Sequence, residues 1–175
     1  MKNREQIIEE LLVLRCQDGD GPAFGELVDR WQERLWRHAR LLTGDDDAAW
    51  DVVQETWVAI VKGISRLQDA GAFPKWAHKI VNAKSVDWIR KRQSQRKLSD
   101  NLALESASDQ IGNEQDHLRA ALARLPVEQR SLLSLHYAEG YGMSEIAEII
   151  GIPEGTVKSR LYNAREQLRK LMENS

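Results

Sequence analysis

An all-α fold of two small helical domains follows from three features of the sequence. Apolar residues recur at helical spacing over most of the 175 residues. Only four prolines interrupt them, and 30% of residues are charged, which suits helices with solvated faces. One polar stretch, residues 96–113, carries too weak an apolar pattern (Leu98, Leu102, Leu104) for a core of its own. The expected organisation is a first domain over 1–95, a linker over 96–113 and a second domain over 114–175.

In the first domain, residues 5–16 form an amphipathic helix with Ile7, Ile8, Leu11, Leu12 and Leu14, and QDGDGP turns the chain. A second helix over 23–42 buries Phe24, Leu27, Val28, Trp31, Leu35 and Leu42. A third, over 48–64, sets Ala49, Val52, Val53, Ile60 and Ile64 on its core side. Asp51, Gln54, Glu55 and Val58 share another side, which suits either solvated surface or a docking edge. After a loop over 66–71, a fourth helix over 73–93 packs Phe73, Trp76, Ala77, Ile80, Trp88 and Ile89, with Lys75, Lys79, Lys84, Arg90 and Lys91 along its edges. All six Trp lie between Trp31 and Trp88. Core packing is the ordinary use of such rings, and aromatics among cations also serve to stack unpaired bases.

In the second domain, Leu118, Ala121, Leu122 and Leu125 form one stripe, Pro126 ends that helix, and residues 127–138 make the next. The stretch GMSEIAEIIGIPEGTVKSRLYNAREQLRKL, residues 142–171, reads as two helices around a tight turn. Gly142 and Glu145 suit a capped start, Gly151 a left-handed stop, and Pro153 a new beginning. Val157, Leu161, Ala164, Leu168 and Leu171 form the buried face of the last helix. Thr156, Lys158, Ser159, Arg160, Tyr162, Asn163 and Arg165 lie on its other sides, offering the donors and cations that a helix in a major groove needs. A helical hairpin with a solvated basic face has the same pattern.

Net charge is −2, low for a self-sufficient DNA binder, but its distribution is uneven. Lys84, Arg90, Lys91, Arg92, Arg96 and Lys97 face only Asp87. Asp100, Glu105, Asp109, Glu114 and Asp116 follow without a cation among them. Cys16 stands alone, so no internal disulfide forms. His38, His78, His117 and His136 have no metal-ligand spacing, no nucleophile–base set is evident, and no Gly-rich phosphate loop is present. No catalytic residue, metal or cofactor is expected, and the reading is not an enzyme. Without a signal peptide or membrane-length apolar run, the expected location is cytoplasmic.

From residue 19 to 171 the chain resembles the extracytoplasmic-function sigma factors of bacterial RNA polymerase, in the sigma-70 family. Three motifs carry the likeness: DVVQETWVAIVKGI, WAHKIVNAKSVDWIRKR and EIAEIIGIPEGTVKSRLYNAREQLRK. The resemblance implies a region 2-like four-helix bundle and a region 4-like helix-turn-helix domain. It implies that Asp51, Gln54, Glu55 and Val58 bind core polymerase, at the β′ clamp. It places the melted −10 strand on Lys75, Lys79, Asn82, Lys84 and Arg90, with the loop at 66–73 holding a flipped base. It places the −35 duplex on Thr156, Lys158, Ser159, Arg160, Tyr162, Asn163 and Arg165. The linker would thread the polymerase channels, including its β subunit, and an anti-sigma factor is an expected partner. In an ungapped match the family's usual −10 Asn falls on Ala83, with Asn82 one residue earlier, about 100° around the helix. Asn163 stands where relatives often carry Arg, which implies a preference for adenine edges over guanine. A stand-alone helix-turn-helix regulator is the alternative function, and a protein-interaction adaptor is a third.

Overall fold

The computed structural model describes residues 3–98 and 114–173. The first half contains α1 (Arg4–Gln17), α2 (Gly21–Thr43), α3 (Asp46–Gly63) and α4 (Phe73–Leu98). Each start has a local cause. Asn3 and Gln6 cap α1 reciprocally, with side-chain bonds of 2.8 and 2.9 Å to each other's backbone N–H. The Asp20 carboxylate accepts from Ala23 N–H at 3.0 Å and opens α2, and Asp45 accepts from Ala48 at 2.8 Å and opens α3. Gly44, at φ 75°, takes the left-handed conformation that ends α2.

These helices close over Leu27, Trp31, Leu35, Val52, Val53, Ile60, Phe73, Ala77 and Val81, all buried. Trp31 meets Phe73 edge-to-face at 5.3 Å, donates its indole N–H to Glu9 at 2.9 Å and lies 4.7 Å beneath the Arg34 guanidinium. On α1 the buried residues are Leu12, Val13 and Cys16, while Ile7, Leu11 and Leu14 point outward, contrary to the expected stripe. A helix packed at one end and along one edge does not bury every apolar residue of its sequence. Trp50 is also exposed, and Trp36, Trp57, Trp76 and Trp88 are partly buried against the core. Gly63 lets α3 and α4 approach, since a Cβ there would lie 2.8 Å from the Trp76 ring.

The second half contains α5 (Glu114–Ala123), α6 (Val127–Leu133), α7 (Met143–Ile150) and α8 (Glu154–Glu173). Leu132, Leu135, Ile146, Ile149, Val157, Leu161 and Ala164 form its core. Gly142 N–H donates to Glu145 at 2.9 Å, the expected cap of α7. Gly151, at φ 78°, donates to Ala147 C=O at 2.8 Å and ends it. Pro153 C=O accepts from Thr156 and Val157 in the first turn of α8.

Three further expectations are corrected. Helix α4 continues to Leu98, into the stretch read as linker, because Gln95, Arg96, Lys97 and Leu98 are good helix formers with no Gly or Pro among them. The single helix expected over 127–138 becomes α6 followed by a π-turn at Ser134–Ala138, in which Glu139 N–H reaches back to Ser134 C=O at 3.0 Å. Leu118 is exposed, and Ala121 is the buried residue of α5. Residues 99–113, which include Leu102 and Leu104, lie outside the described residues.

The two halves touch through a seam that is mostly polar. His38 Nε2 is 3.1 Å from Asn82 Oδ1, and His38 Nδ1 is 2.9 Å from Ser134 Oγ. The same Asn82 oxygen accepts from the Ser131 hydroxyl at 2.5 Å. An amide oxygen only accepts, so His38 Nε2 carries a proton, and in the neutral ring Nδ1 accepts from the Ser134 hydroxyl. A neutral ring satisfies both contacts. Beside it, Glu139 lies 2.5 Å from Arg34 and 3.2 Å from His78 Nε2, and the Tyr141 hydroxyl is 2.9 Å from His78 Nδ1. Burial alone raises the Glu139 carboxyl, but the adjoining His78 ring and Arg34 guanidinium outweigh it and hold the group at about 2. Leu42, Ile89 and Val127 supply a small apolar cluster at the same seam.

Burial, with the neighbouring His78, lowers His38 from 6.5 to about 4, against opposing contacts with Asn82 and Glu139. The folded state thus binds fewer protons than the unfolded state between those values. Its contribution is complete above pH 6.5 and is lost as pH falls towards 4. Urea titrations should show a loss of about 2–3 kcal/mol from this group between pH 7 and 4.5, and His38→Gln should flatten that dependence. Gly63→Ala should lower stability by about 1–3 kcal/mol through overpacking against Trp76, read as a lower urea midpoint.

Candidate nucleic-acid and polymerase interfaces

Helix α8 presents one face to solvent along its first turns. Val157, Leu161 and Ala164 are buried, and a rotation of about 100° per residue puts Ser159, Tyr162 and Asn163 opposite them. Thr156 and Lys158 flank that centre, and Arg160 and Arg165 fall on its two edges. All are exposed except Thr156, which is partly covered. These side chains lie on the outer sides of α8, where the helical spacing puts them. Ser159 donates to Thr156 C=O at 3.1 Å, which leaves its hydroxyl oxygen free to accept from an incoming donor. The Arg165 guanidinium is 5.9 Å from the Tyr162 ring and 3.4 Å from the Tyr137 hydroxyl. Lys158, Ser159, Tyr162, Asn163 and Arg165, with His136 and Met143, line an open concavity of about 420 Å³. His136 and Tyr137 enter from the π-turn and have no counterpart in the sequence reading, since no local spacing links them to α8.

The residues expected on α4 are distributed differently. Lys79 is exposed. Lys84 pairs with Glu55 of α3 at 3.3 Å. Lys75 reaches Glu148 of α7 at 2.5 Å, and Arg90 reaches Glu128 of α6 at 3.5 Å. Asn82 is buried, 8% exposed, between His38 and Ser131, while Ala83 faces solvent. The helix thus does not present its five candidates on one open face; three of them meet residues of the second half. The loop before α4 is braced: Gln17 donates to Ile64 C=O at 2.9 Å and Leu67 C=O at 2.7 Å, and Asp69 accepts from Gly71 N–H at 2.9 Å.

On α3, Asp51, Gln54, Glu55 and Val58 are all exposed and lie within about one third of the helix circumference. Val61, 55% exposed, extends the same stripe by one turn. A row of carboxylates and an amide ending in two bare valines has the make-up of a docking surface: polar groups set register, and the valines add apolar area. Val61 was not singled out in the sequence, though its spacing from Val58 was visible.

Among the described residues no group of His, Cys, Asp or Glu can hold a metal ion, and no helix is long and apolar enough to cross a membrane. Buried His38 and His78 belong to the seam, as do Ser131, Ser134, Glu139 and Tyr141. Nothing in the sequence links these residues, because they sit far apart along the chain.

Residues 27–95 match Sigma-70 region 2, and residues 115–168 match Sigma-70, region 4. The ECF RNA polymerase sigma factor SigM of Mycobacterium tuberculosis is 31% identical over 156 residues, covering 88% of this chain and 79% of that protein. The ECF RNA polymerase sigma-E factor of Haemophilus influenzae is 30% identical over 183 residues, covering 94% of this chain and 95% of that one. The ECF RNA polymerase sigma factor SigE of Mycolicibacterium smegmatis is 32% identical over 157 residues, and this chain spans 61% of its length. Among solved structures, the sigma factor RpoE of Bartonella quintana, in complex with the anti-sigma factor NepR, matches with a TM-score of 0.74 at 27% identity, covering 86% of this chain and 96% of that one. By motif order, by both halves of its fold and by these relatives, the chain belongs to the extracytoplasmic-function sigma factors of the sigma-70 family.

Proposed function

We propose that this chain is an alternative sigma subunit that carries core RNA polymerase to its promoters and starts transcription there. The observation that supports it most is a pair of dissimilar DNA-suited helices, α4 and α8, on two separately cored halves in the family's order. Neither half is a strong binder alone. A single helix-turn-helix module holds non-specific DNA at only about 10⁻⁴–10⁻⁶ M. Fixed on a large enzyme, the second contact becomes intramolecular, with an effective concentration in about the millimolar range.

The roles follow from chemistry at each face. The α3 stripe of Asp51, Gln54, Glu55 and Val58, extended by Val61, docks on the core enzyme at its β′ clamp. The exposed face of α8 enters the −35 major groove: Lys158, Arg160 and Arg165 meet phosphates, while Ser159, Tyr162 and Asn163 reach base edges. Helix α4, with the braced loop before it, takes unstacked bases of the −10 strand, where stacking and pocket contacts offset an unpairing cost of a few kcal/mol. The linker runs through polymerase channels against the β subunit. No reaction is catalysed and no cofactor is needed. The site of action is the cytoplasm, where the polymerase is, and an anti-sigma factor is a fitting partner, as NepR is for RpoE.

Promoter-dependent transcription with core enzyme tests the proposal. The wild-type chain should yield specific transcripts, and Lys158→Glu with Arg160→Glu should reduce them by about tenfold or more, through lost −35 contacts. An unchanged yield from that double variant argues for an adaptor. Asp51→Lys with Glu55→Lys should weaken co-elution with core polymerase by about tenfold or more while −35 duplex binding stays unchanged. Asn163→Arg should move the preferred −35 base at its contact from adenine to guanine in promoters selected from a random library. Tight, specific duplex binding without polymerase, and no stimulation with it, identifies a stand-alone regulator instead.

A further inference from the structure

We infer that α1 pairs with α1 of a second copy of this chain, running antiparallel to it, to form a weak and reversible homodimer. Helix α1 carries apolar residues on two opposite faces. Leu12, Val13 and Cys16 are buried in the first core, while Ile7, Leu11 and Leu14 point the other way, 48%, 55% and 48% exposed. A rotation of about 100° per residue puts these three outward side chains within about 60° of one another. They follow at steps of four and three residues, the spacing of a two-helix seam. No described element covers this stripe.

The ends of the stripe identify its occupant. The same steps continue to Arg4 at one end and to Asp18, the cap residue, at the other, and both are exposed. Neither side chain has an ion-pair partner among the described residues, whereas the neighbouring Arg15 is held by Asp20 at 2.7 Å. Along the helix the line reads cation, three apolar residues, anion, so it is complementary to its own reverse. A two-fold axis at Leu11 sets Leu11 against Leu11, Ile7 against Leu14, and each Arg4 against Asp18 of the other copy. That self-complementarity is what an isologous dimer requires. A parallel pair would set like charges together at both ends, which is unfavourable. From Arg4 to Asp18 the seam is only about 21 Å long. A single helix pair of that length buries less than the roughly 1,000 Å² of a stable interface, so the dimer forms only at high concentration. None of the five side chains belongs to the DNA or polymerase faces described above, so the pairing does not depend on promoter reading.

Sedimentation equilibrium of the full chain tests the pairing. The average mass should be that of one chain at about 1 μM and rise towards that of two at about 100 μM. Leu11→Glu should hold it at one chain throughout, with an unchanged urea midpoint, because Leu11 is exposed. Arg4→Asp should weaken association by about tenfold, and adding Asp18→Arg should restore it. Both substitutions suit the dipole of α1, so fraying of the helix does not account for the loss. Under mild oxidation Leu11→Cys should give a disulfide-linked dimer and Ile7→Cys should not, since only Leu11 meets its own counterpart; Cys16 is buried. A mass of one chain at every concentration overturns the pairing, and if Leu11→Glu then weakens co-elution with core polymerase, the enzyme is the occupant instead. A dimer that survives Leu11→Glu, or a charge exchange that fails to restore association, overturns it as well.

Discussion

Asn82 is held from two sides, and the arrangement of the whole chain depends on how. Its amide oxygen accepts from His38 of the first half and from Ser131 of the second. With the ring neutral, its other nitrogen accepts from the Ser134 hydroxyl. Nearby, Glu139 lies between the Arg34 guanidinium and the His78 ring. A buried network of this kind is stable while every member has its partner, and loses that stability steeply once one is charged or removed. It therefore fixes one relative placement of two bodies that share little apolar surface.

That division explains a net charge that looks unsuited to DNA. Lys75 and Arg90 of α4 are matched by Glu148 of α7 and Glu128 of α6, which lowers the positive field at those two positions. Helix α8 keeps its cations outward. On the proposed reading, affinity for promoter DNA is built by the polymerase, which supplies spacing, rather than by charge on this chain alone.

Much of this was legible in the sequence, and the reason is range. The face of α8, the Gly151–Pro153 turn and the stripe from Asp51 to Val58 are local patterns, set by residues three or four apart, and they came out as read. Helix α4 was read short because the polar run after Gln93 leads into the expected linker, although nothing in it stops a helix. The π-turn was not legible: SLHYA continues a helical pattern, and only packing of Glu139 and Tyr141 against α4 accounts for the wider turn. The seam was hidden for the same reason. His38 and Ser134 are 96 residues apart, and no periodicity connects them. Two histidines on apolar helix faces were a faint signal, since a buried imidazole needs partners on both nitrogens. Exposure was also misjudged at Ile7, Leu11, Leu14 and Leu118, where an apolar residue exists without a neighbouring element to cover it.

The central claim is that core polymerase spaces two separately weak halves on one promoter and so turns two contacts into a promoter reader. Promoter-dependent transcription with purified core enzyme tests it most directly. The account predicts promoter-specific transcripts only when the chain and core polymerase are both present. No stimulation by the chain, with tight duplex binding in the absence of polymerase, would contradict it.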